Sequence, residues 1–478
     1  MNLDRINRVY LIGVGGIGMS ALARYFNALD REVAGYDVVS KPLTQQLESE
    51  GVIIHYEDEP DLIPSAFTQN KKRTLIVYTP AVPSNHKELN YFIERGYTVL
   101  KRSEVLGEIS RTKTCLAVAG THGKTTVSSM LAHLLNHSSN GCNAFLGGVA
   151  KNYASNVIVN SKSSLMVAEA DDFERSFLKL HPNMAIITCM EADHLDVYNN
   201  ELSIKKAFEE FTGRLPENGI LLHHSKVNIS GEVTSNLQTY SYSLEPESDF
   251  HPINLRVSEG KYRFDLVTPK KTLSGFTLSL PGLVNVENAV AALSMAYLQG
   301  LGRENLYKNL TTFQGTERRF DIQFHQGGLL YIDDYAHHPA EIAYTIRSVR
   351  EFFPDRKILG IFQPHLYSRT KFFAGEFAES LGMFDELILL DIYPAREEPL
   401  EGVSSQLILD QVKNIPATIT TKKELMNVLR NRDIETIMTM GAGDIDKMVS
   451  PIREMMEQRA KDNGTKDNDV KDNDMKGE

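Results

Sequence analysis

The sequence has no tryptophan, only three cysteines and no apolar run of the length that a membrane helix needs. Cys115, Cys142 and Cys189 form no Cys-x-x-Cys pair, which argues against a zinc site or a disulfide framework. The N-terminus also lacks a signal-type hydrophobic region. We therefore expect a cytoplasmic protein with reduced thiols and no membrane partner.

An excess of positive charge is also absent. The chain carries 51 Lys and Arg residues against 62 Asp and Glu residues, so its net charge is −11 and it offers no bulk attraction for nucleic acid. The hydrophobic content of 42% is ordinary for globular proteins and excludes a disordered or fibrous chain as a whole. Its 478 residues leave room for roughly three domains of about 150 residues each.

The most informative stretch is an apolar run from Thr114 to Ala119 that leads into a Gly-rich loop and then a helical pattern. This order predicts a nucleotide triphosphate site, although the loop is shorter than the usual phosphate-loop pattern, which needs a glycine at Val118. An ordinary Gly-rich turn is the alternative that this context disfavours. The expected ATP-binding residues of the loop are Gly120, Thr121, His122, Gly123, Lys124, Thr125 and Thr126.

A second Gly-rich loop follows the first predicted strand of the chain. It contains Gly13, Gly15, Gly16 and Gly18, and a further strand ends at Asp37, at the distance where an acid binds a ribose. Alone, this pattern suggests a dinucleotide oxidoreductase. A turn that serves only helix–strand packing is the other possibility.

Acidic residues follow two predicted strands of the middle region. One strand ends at Glu169, and the next is followed by a turn that contains His194. Ligands gather at the carboxyl ends of strands in α/β sheets, and Mg²⁺ uses only one or two protein ligands beside phosphates. We therefore predict a magnesium site formed by Thr125, Glu169 and His194.

The last third of the chain repeats a pattern of buried strand and polar turn. Strands are predicted at residues 329–332, 357–362, 386–392 and 436–440, and histidines and arginines in the turns favour recognition of an anionic ligand. A β-rich insertion is expected over residues 217–280. The tail from Lys461 has almost no apolar residues and is expected to be disordered.

Together these motifs resemble those of the Mur ligases, the ATP-dependent amino-acid ligases of peptidoglycan synthesis. The resemblance covers about residues 8 to 455, and residues 334–339 and 363–370 are similar to the L-alanine-adding member. It implies a three-domain α/β protein. The expected domains are a Rossmann-like UDP-sugar-binding domain (1–111), a central phosphate-loop ATPase with a mostly parallel sheet (112–319), a Rossmann-like amino-acid- and substrate-binding domain (320–460) and the tail (461–478).

The resemblance also implies ATP and Mg²⁺ as cofactors, and UDP-N-acetylmuramate and L-alanine as substrates that are joined through an acyl phosphate. Catalytic roles are expected for Lys124, His194, His337 and Arg369. ATP contacts beyond the loop fall on Asn285, Asn288, Arg319 and Asp334. The UDP-sugar is expected to contact the four loop glycines, Met19, Ser20, Asp37, His194, His365 and Arg369. L-alanine is expected to contact Tyr335, His337 and His338.

Three other functions stay open at this point. A ligase that attaches a preformed tripeptide to the same sugar nucleotide differs only in its amine substrate. A non-catalytic nucleotide-binding regulator is disfavoured because Lys124, Thr125, Glu169 and His194 occur together, and an NAD-dependent oxidoreductase is disfavoured by the second nucleotide loop. The chain departs from the family pattern at Val284 and Leu366, and either a monomer or a homodimer is compatible with the sequence.

Overall fold

The computed structural model describes residues 3–171, 173–190, 201–258, 260–395 and 397–474. The chain forms two compact units. The first contains Met1–Ser279 and Val286–Thr316, and the second contains Leu280–Asn285 and Glu317–Glu478. No helix among the described residues combines the length and the apolar character that crossing a membrane requires.

The first unit begins with a five-stranded parallel sheet of order β3-β2-β1-β4-β5. Because the strand order reverses between β1 and β4, a crevice is expected at the carboxyl end of β1, where the first Gly-rich loop begins. The strands are β1 (Arg8–Ile12), β2 (Glu32–Tyr36), β3 (Ile53–His55), β4 (Thr74–Tyr78) and β5 (Thr98–Lys101). The helices are α1 (Ile17–Asn27), α2 (Pro42–Ser49), α3 (Ser65–Gln69), α4 (Lys87–Glu94) and α5 (Arg102–Arg111).

The same unit continues with a seven-stranded sheet of order β12-β11-β10-β6-β9-β7-β8, parallel except for the β7–β8 pair. Its strands are β6 (Thr114–Ala119), β7 (Asn143–Ala150), β8 (Ser155–Ile158), β9 (Leu165–Glu169), β10 (Met184–Ile187), β11 (Ile220–His224) and β12 (Gln238–Tyr242). The central strand β6 is buried over its last five residues, as expected for a parallel strand covered on both faces.

A separate antiparallel sheet of three strands follows, formed by β13 (His251–Ser258), β14 (Lys261–Val267) and β15 (Thr272–Leu278). The expected β-rich insertion is thus confirmed for this part. The strands β11 and β12 lie in the same range, but they extend the parallel sheet and are not part of an insertion; β12 is an edge strand with exposed residues, so its sequence alternates. The helices here are α6 (Lys124–Asn136), α7 (Glu201–Thr212), α8 (Gly231–Thr234), α9 (Leu283–Leu298) and α10 (Arg303–Thr312).

One hydrophobic core joins the two large sheets of the first unit. It contains Leu11 and Tyr25 from the N-terminal part and Phe145 and Phe177 from the middle part. The rings of Tyr25 and Phe145 lie 5.1 Å apart between centroids, within the range of favourable aromatic pairs. The two Gly-rich loops are therefore carried by one continuously packed body.

The second unit contains a six-stranded sheet of order β16-β17-β21-β18-β19-β20, in which only the β16–β17 pair is antiparallel. Its strands are β16 (Asp321–Gln326), β17 (Leu329–Asp334), β18 (Ile358–Phe362), β19 (Glu386–Leu389), β20 (Ala417–Ile419) and β21 (Thr436–Met440). Its helices are α11 (Pro339–Phe352), α12 (Tyr367–Phe372), α13 (Ala374–Leu381), α14 (Gln406–Leu409), α15 (Lys422–Arg430) and α16 (Val449–Asp474). All four strands predicted in this region are present.

Helix α16 differs from the expectation for the tail. Disorder was expected from Lys461, but the helix continues to Asp474. A helix that has already been nucleated gains one hydrogen bond for each residue added, and this extension needs no apolar burial. The expectation is therefore wrong for residues 461–474, and residues 475–478 lie outside the described part of the chain.

Candidate functional site

The phosphate loop connects β6 to α6, as the sequence predicts. Gly120 and Gly123 have φ angles of +135° and +81°, which side chains of L-residues rarely adopt. A β-carbon on Gly120 would lie only 2.0 Å from Oγ1 of Thr188. Both glycines are therefore required by the backbone path, and the loop can approach a phosphate closely.

The end of β10 holds this loop in place. Oγ1 of Thr188 donates hydrogen bonds to the carbonyl oxygens of Ala119, at 3.2 Å, and of His122. Cys189 accepts two further hydrogen bonds from the loop. Its carbonyl oxygen accepts from the N–H of Thr121 at 3.2 Å, and its Sγ accepts from the N–H of His122 at 3.0 Å. Thr188 was not predicted from the sequence, because no local pattern shows which strand end contacts a loop.

Lys124, the first residue of α6, lies across its own loop. Its Nζ donates to the carbonyl oxygens of Gly120 at 2.6 Å and Thr121 at 3.1 Å. The ammonium group is thus directed along the loop, where the phosphates of a nucleotide are expected. A bound phosphate would compete with these carbonyl oxygens for the ammonium group.

Two of the three predicted metal ligands contact each other. Oε1 of Glu169 accepts a hydrogen bond from Oγ1 of Thr125 at 3.0 Å, while its Oε2 accepts from the N–H of Gly147 at 2.8 Å and from Oγ of Ser128 at 3.3 Å. A hydroxyl and a carboxylate are the oxygen donors that Mg²⁺ prefers, so these side chains fit that ion. The third predicted ligand, His194, lies outside the described residues, among which no group of three or more His, Cys, Asp or Glu side chains could hold a metal.

The first Gly-rich loop is organised around the end of β2. The N–H groups of Gly13 and Val14 donate to the carbonyl oxygen of Tyr36, and the N–H of Gly15 donates to Oδ2 of Asp37 at 2.7 Å. The structure therefore brings Asp37 to the loop, as its predicted position requires. Gly13 has a φ of +86°, so the turn itself depends on glycine.

Met19 and Ser20, which were expected to contact the UDP-sugar, are buried in helix α1, with 1% and 0% of their surface exposed. Oγ of Ser20 donates to the carbonyl oxygen of Ile17 at 2.9 Å and accepts from Nδ2 of Asn156 at 3.2 Å. This geometry gives the two side chains a packing role. It lends no support to their predicted contact with a ligand.

The two asparagines predicted to bind ATP both lie on α9. A β-carbon on Gly123 would lie 3.0 Å from Oδ1 of Asn288, so Asn288 borders the phosphate loop. Nδ2 of Asn285, in the second unit, donates to the carbonyl oxygen of Pro281 at 2.6 Å. Asn288 is thus seen beside the loop, and the predicted ATP contact of Asn285 stays a prediction.

In the second unit, Asp334 shapes the turn after β17. Its two carboxylate oxygens accept hydrogen bonds from the N–H groups of Ala336 and Phe320, both at 2.7 Å. Burial raises the pKa of its carboxyl to about 6. Because both oxygens bond to the backbone, the geometry supports a structural role for Asp334 and not its predicted ATP contact.

The neighbouring arginines flank one aromatic ring. The guanidinium carbons of Arg318 and Arg319 lie 5.3 and 4.8 Å from the ring centroid of Tyr335, within the distance for cation–π attraction. Nε of Arg318 also donates a hydrogen bond to Oδ2 of the fully buried Asp333 at 3.0 Å, and this bond ties Arg318 to strand β17. Arg319 thus keeps a position near predicted substrate residues, whereas Arg318 stabilises the fold.

The polar rim of the second unit brings together several predicted side chains. The ring of His337 lies 5.3 Å from that of Tyr335 and 6.2 Å from that of His365, which stacks on Tyr393 at 5.8 Å. Tyr393 was not predicted. Arg369 lies half-buried on the short helix α12.

His338 lies elsewhere, at the N-terminal cap of α11. Its N–H donates a hydrogen bond to Oε2 of Glu341 at 3.3 Å, and its ring packs on Phe373 with centroids 4.8 Å apart. The residue is thus engaged in starting a helix. Its predicted contact with an amino acid has no support from this geometry.

Three family models match successive parts of the chain. They are the Mur ligase family catalytic domain over residues 8–114, the Mur ligase middle domain over residues 118–296 and the Mur ligase glutamate ligase domain over residues 318–443. The chain belongs to the Mur ligase family. The resemblance inferred from the motifs and the predicted α/β fold class are thereby confirmed.

Relatives match this Mur ligase over nearly its whole length. The UDP-N-acetylmuramate–L-alanine ligase of Parabacteroides distasonis is 48% identical over 95% of this chain and 98% of its own length. The enzyme of the same name from Flavobacterium psychrophilum is 46% identical over 96% of this chain and all of its own length. The crystal structure of a UDP-N-acetylmuramate-alanine ligase from Thermotoga maritima has a TM-score of 0.79 and 27% identity, and the match covers 95% of this chain and 99% of that one.

Proposed function

We propose that this Mur ligase joins L-alanine to UDP-N-acetylmuramate and converts ATP to ADP and phosphate. The observation that carries the proposal is the phosphate loop, with Lys124 along its carbonyl groups and Thr125 in contact with Glu169. The relatives that match over their full length bear the name of this activity. The predicted cytoplasmic location is part of the same proposal, and a monomer and a homodimer both stay open.

ATP is needed because a carboxylate is a poor electrophile. A carboxylate oxygen of the sugar nucleotide attacks the γ-phosphorus, and the bond from that phosphorus to ADP breaks. The amine of L-alanine, after losing a proton, then attacks the acyl carbon of the resulting acyl phosphate, and inorganic phosphate leaves. The product is an amide, and each bond formed replaces one that is broken.

The roles of the side chains follow from their positions. Lys124 neutralises charge on the transferring phosphoryl group, and the loop N–H groups bind the phosphates. Thr125 and Glu169 would hold Mg²⁺, which supplies further charge neutralisation when bound. The cluster of Tyr335, His337 and His365 on the second unit is suited to orient substrate carboxylates and the amine.

The test measures phosphate release by purified protein with ATP, Mg²⁺, UDP-N-acetylmuramate and L-alanine, each omitted in turn. Release that requires every component is the expected result. A parallel series replaces L-alanine with the tripeptide that wall recycling supplies. Preference for the tripeptide would reassign the amine substrate, and no release in any mixture would contradict the ligase proposal.

A further inference from the structure

Asn156, on strand β8, is a polar side chain with none of its surface exposed. A buried amide costs free energy unless its hydrogen-bonding groups find partners. Its Oδ1 accepts a hydrogen bond from Nη1 of Arg24 at 2.9 Å, and its Nδ2 donates to the carbonyl oxygen of Ile17 and, at 3.2 Å, to Oγ of Ser20. These three partners lie on helix α1. The side chain therefore ties the seven-stranded sheet to that helix.

The tie has one defined geometry. A guanidinium group only donates and a carbonyl oxygen only accepts, so the amide oxygen of Asn156 must face Arg24 and its nitrogen must face Ile17. Arg24 is itself buried and held by Glu50, with Nε 2.9 Å from Oε2 and Nη2 3.0 Å from Oε1. Apolar contacts are non-directional, whereas this buried polar network accepts a single arrangement of its members.

One end of the tie is the first turn of α1. Ile17 is the first residue of the helix, and Ser20 lies one turn further on. This turn follows directly from the first Gly-rich loop, because Gly16 is the residue before the helix. A displacement of the turn therefore displaces the loop as well.

The other end of the tie leads to the predicted magnesium ligand. The register of the antiparallel pair β7–β8 places Asn156 opposite residues 146–149 of β7. This stretch contains Gly147, whose N–H donates to Oε2 of Glu169 at 2.8 Å, and the same carboxylate accepts from Thr125. One pair of strands thus connects the acid of the phosphate-transfer site with the helix turn behind the first Gly-rich loop.

We infer that Asn156 is a positioning residue that fixes the first Gly-rich loop relative to the phosphate-transfer site. The inference rests on the proposed function, since it concerns the placement of the sugar nucleotide against ATP. Phosphoryl transfer requires the attacking oxygen and the γ-phosphorus to be close and aligned, and a misplacement of about 1 Å can lower a rate about 100-fold. Asn156 acts here without touching either substrate.

The experiment uses Asn156→Asp in the full-length protein. The aspartate keeps an acceptor for Arg24 but loses the donor and places an oxygen against the carbonyl of Ile17. The rate constant kcat should fall about tenfold or more, because the two substrates are no longer aligned. The Kd of ATP and that of UDP, measured by isothermal titration calorimetry, should each stay within about twofold, because each loop keeps its own contacts.

Asn143→Asp is the matched control. Asn143 is also a buried asparagine, on the neighbouring strand β7, and its Nδ2 donates to the carbonyl oxygens of Ser163 and Leu165, both at 3.2 Å. The same chemical change therefore breaks the same kind of hydrogen bonds, none of them to α1. Thermal unfolding measures the stability lost by each variant, and kcat of Asn143→Asp should stay within about twofold of wild type.

A milder variant covers the case in which Asn156→Asp does not fold. Ser20→Ala removes one of the two acceptors of the amide nitrogen and should lower kcat about threefold, the effect of one ordinary hydrogen bond. Unchanged kcat in Asn156→Asp, or in Ser20→Ala when it alone folds, would overturn the inference. An equal fall of kcat in Asn156→Asp and Asn143→Asp would do the same.

Hydrogen exchange separates this inference from the proposed function. Absence of product with wild-type protein contradicts the proposed function, and the tie is then tested by amide exchange of residues 19–22 in α1. Their exchange should be faster in Asn156→Asp than in Asn143→Asp, because the first turn is released from β8. Equal exchange in the two variants would overturn the role of Asn156.

Discussion

The first unit presents two loops with the same strand–loop–helix design and different sources of charge. The phosphate loop after β6 carries its own lysine, and Glu169 faces it from the next strand. The loop after β1 contains no lysine or arginine, and the nearby Arg102 of helix α5 lies against Gly18. A loop that contains its own lysine can be recognised from a short sequence motif. A cation that lies beside a loop but comes from a distant helix is recognised only once the fold is known.

The strands beneath the loops differ as well. Every side chain of β6 from Cys115 to Ala119 is apolar and buried. In β1, the hydroxyl of Tyr10 donates to Oε2 of the fully buried Glu88 at 2.6 Å and lies 2.7 Å from Nε2 of His55. The strand before the first Gly-rich loop therefore packs in a cluster of titratable side chains, whereas the strand before the phosphate loop packs in an apolar core.

The largest effect is expected for Lys124→Ala. The rate constant kcat should fall by at least about 100-fold, because a positioned charge on a transferring phosphoryl group is lost. UDP affinity should not change, since the other loop binds it. Initial rates and calorimetry measure the two quantities, with Lys261→Ala on the exposed start of β14 as the control. Retention of more than about a third of the wild-type kcat would contradict the role of Lys124.

A pair of glycine substitutions compares the backbones of the loops. Gly120→Ala meets Thr188 and a φ of +135°, so it should cost about 2 kcal/mol of stability and weaken ATP binding. Gly16→Ala has a φ of −73° and no heavy atom closer than 3.6 Å, so it should be tolerated in folding. Thermal unfolding of both variants tests this difference. Equal melting temperatures would show that the phosphate loop does not need glycine at position 120.

Glu169→Gln should raise the Mg²⁺ concentration that gives half-maximal activity about tenfold, because a neutral amide binds the cation more weakly than a carboxylate does. A magnesium titration at saturating ATP measures the shift. Glu210→Gln, at a half-exposed surface pair with Arg175, serves as the control. An unchanged magnesium requirement would remove Glu169 from the metal site.

The smallest effect concerns the cluster beneath the first loop. Burial raises the pKa of the Glu88 carboxyl to about 7. The protonated carboxyl therefore contributes stability at low pH, and this contribution is lost as the pH rises from the pKa that the group has in the unfolded chain toward 7. The free energy of unfolding of Glu88→Gln, relative to that of wild type, should therefore be higher at pH 8 than at pH 5. Denaturant unfolding at both pH values measures this difference. The exposed Glu94→Gln on the same helix is the control. A pH-independent difference between Glu88→Gln and wild type would contradict the titration.

Much of the fold was predictable because local sequence patterns indicate its strands, loops and helices. Buried strands such as β6 and β18 are almost continuous apolar runs, and glycines and a following helical pattern mark both loops. Strands β11 and β12 lie toward the edge of their sheet, where partial exposure makes buried and exposed residues alternate, so the sequence did not show that they extend the parallel sheet. A local pattern distinguishes a buried strand from a loop, but it does not show which sheet a partly exposed strand joins.

The candidate site was predictable only in part. Lys124, Thr125 and Glu169 follow from a motif and a strand end, and the structure brings them together. Thr188 holds the phosphate loop through contacts between distant parts of the chain, which spacing alone does not show. Met19 and Ser20 adjoin a motif, yet their side chains are buried, and the ring of His338 packs on Phe373.

The shared core of the first unit has a consequence for how such an enzyme evolves. Tyr25 and Phe145 touch each other and lie in the packing between the two sheets. A change of volume at either ring would shift one loop against the other, because packed interiors transmit strain. Selection for the reaction distance between two substrates thus acts on apolar residues that contact neither substrate, and variation at these positions should be correlated.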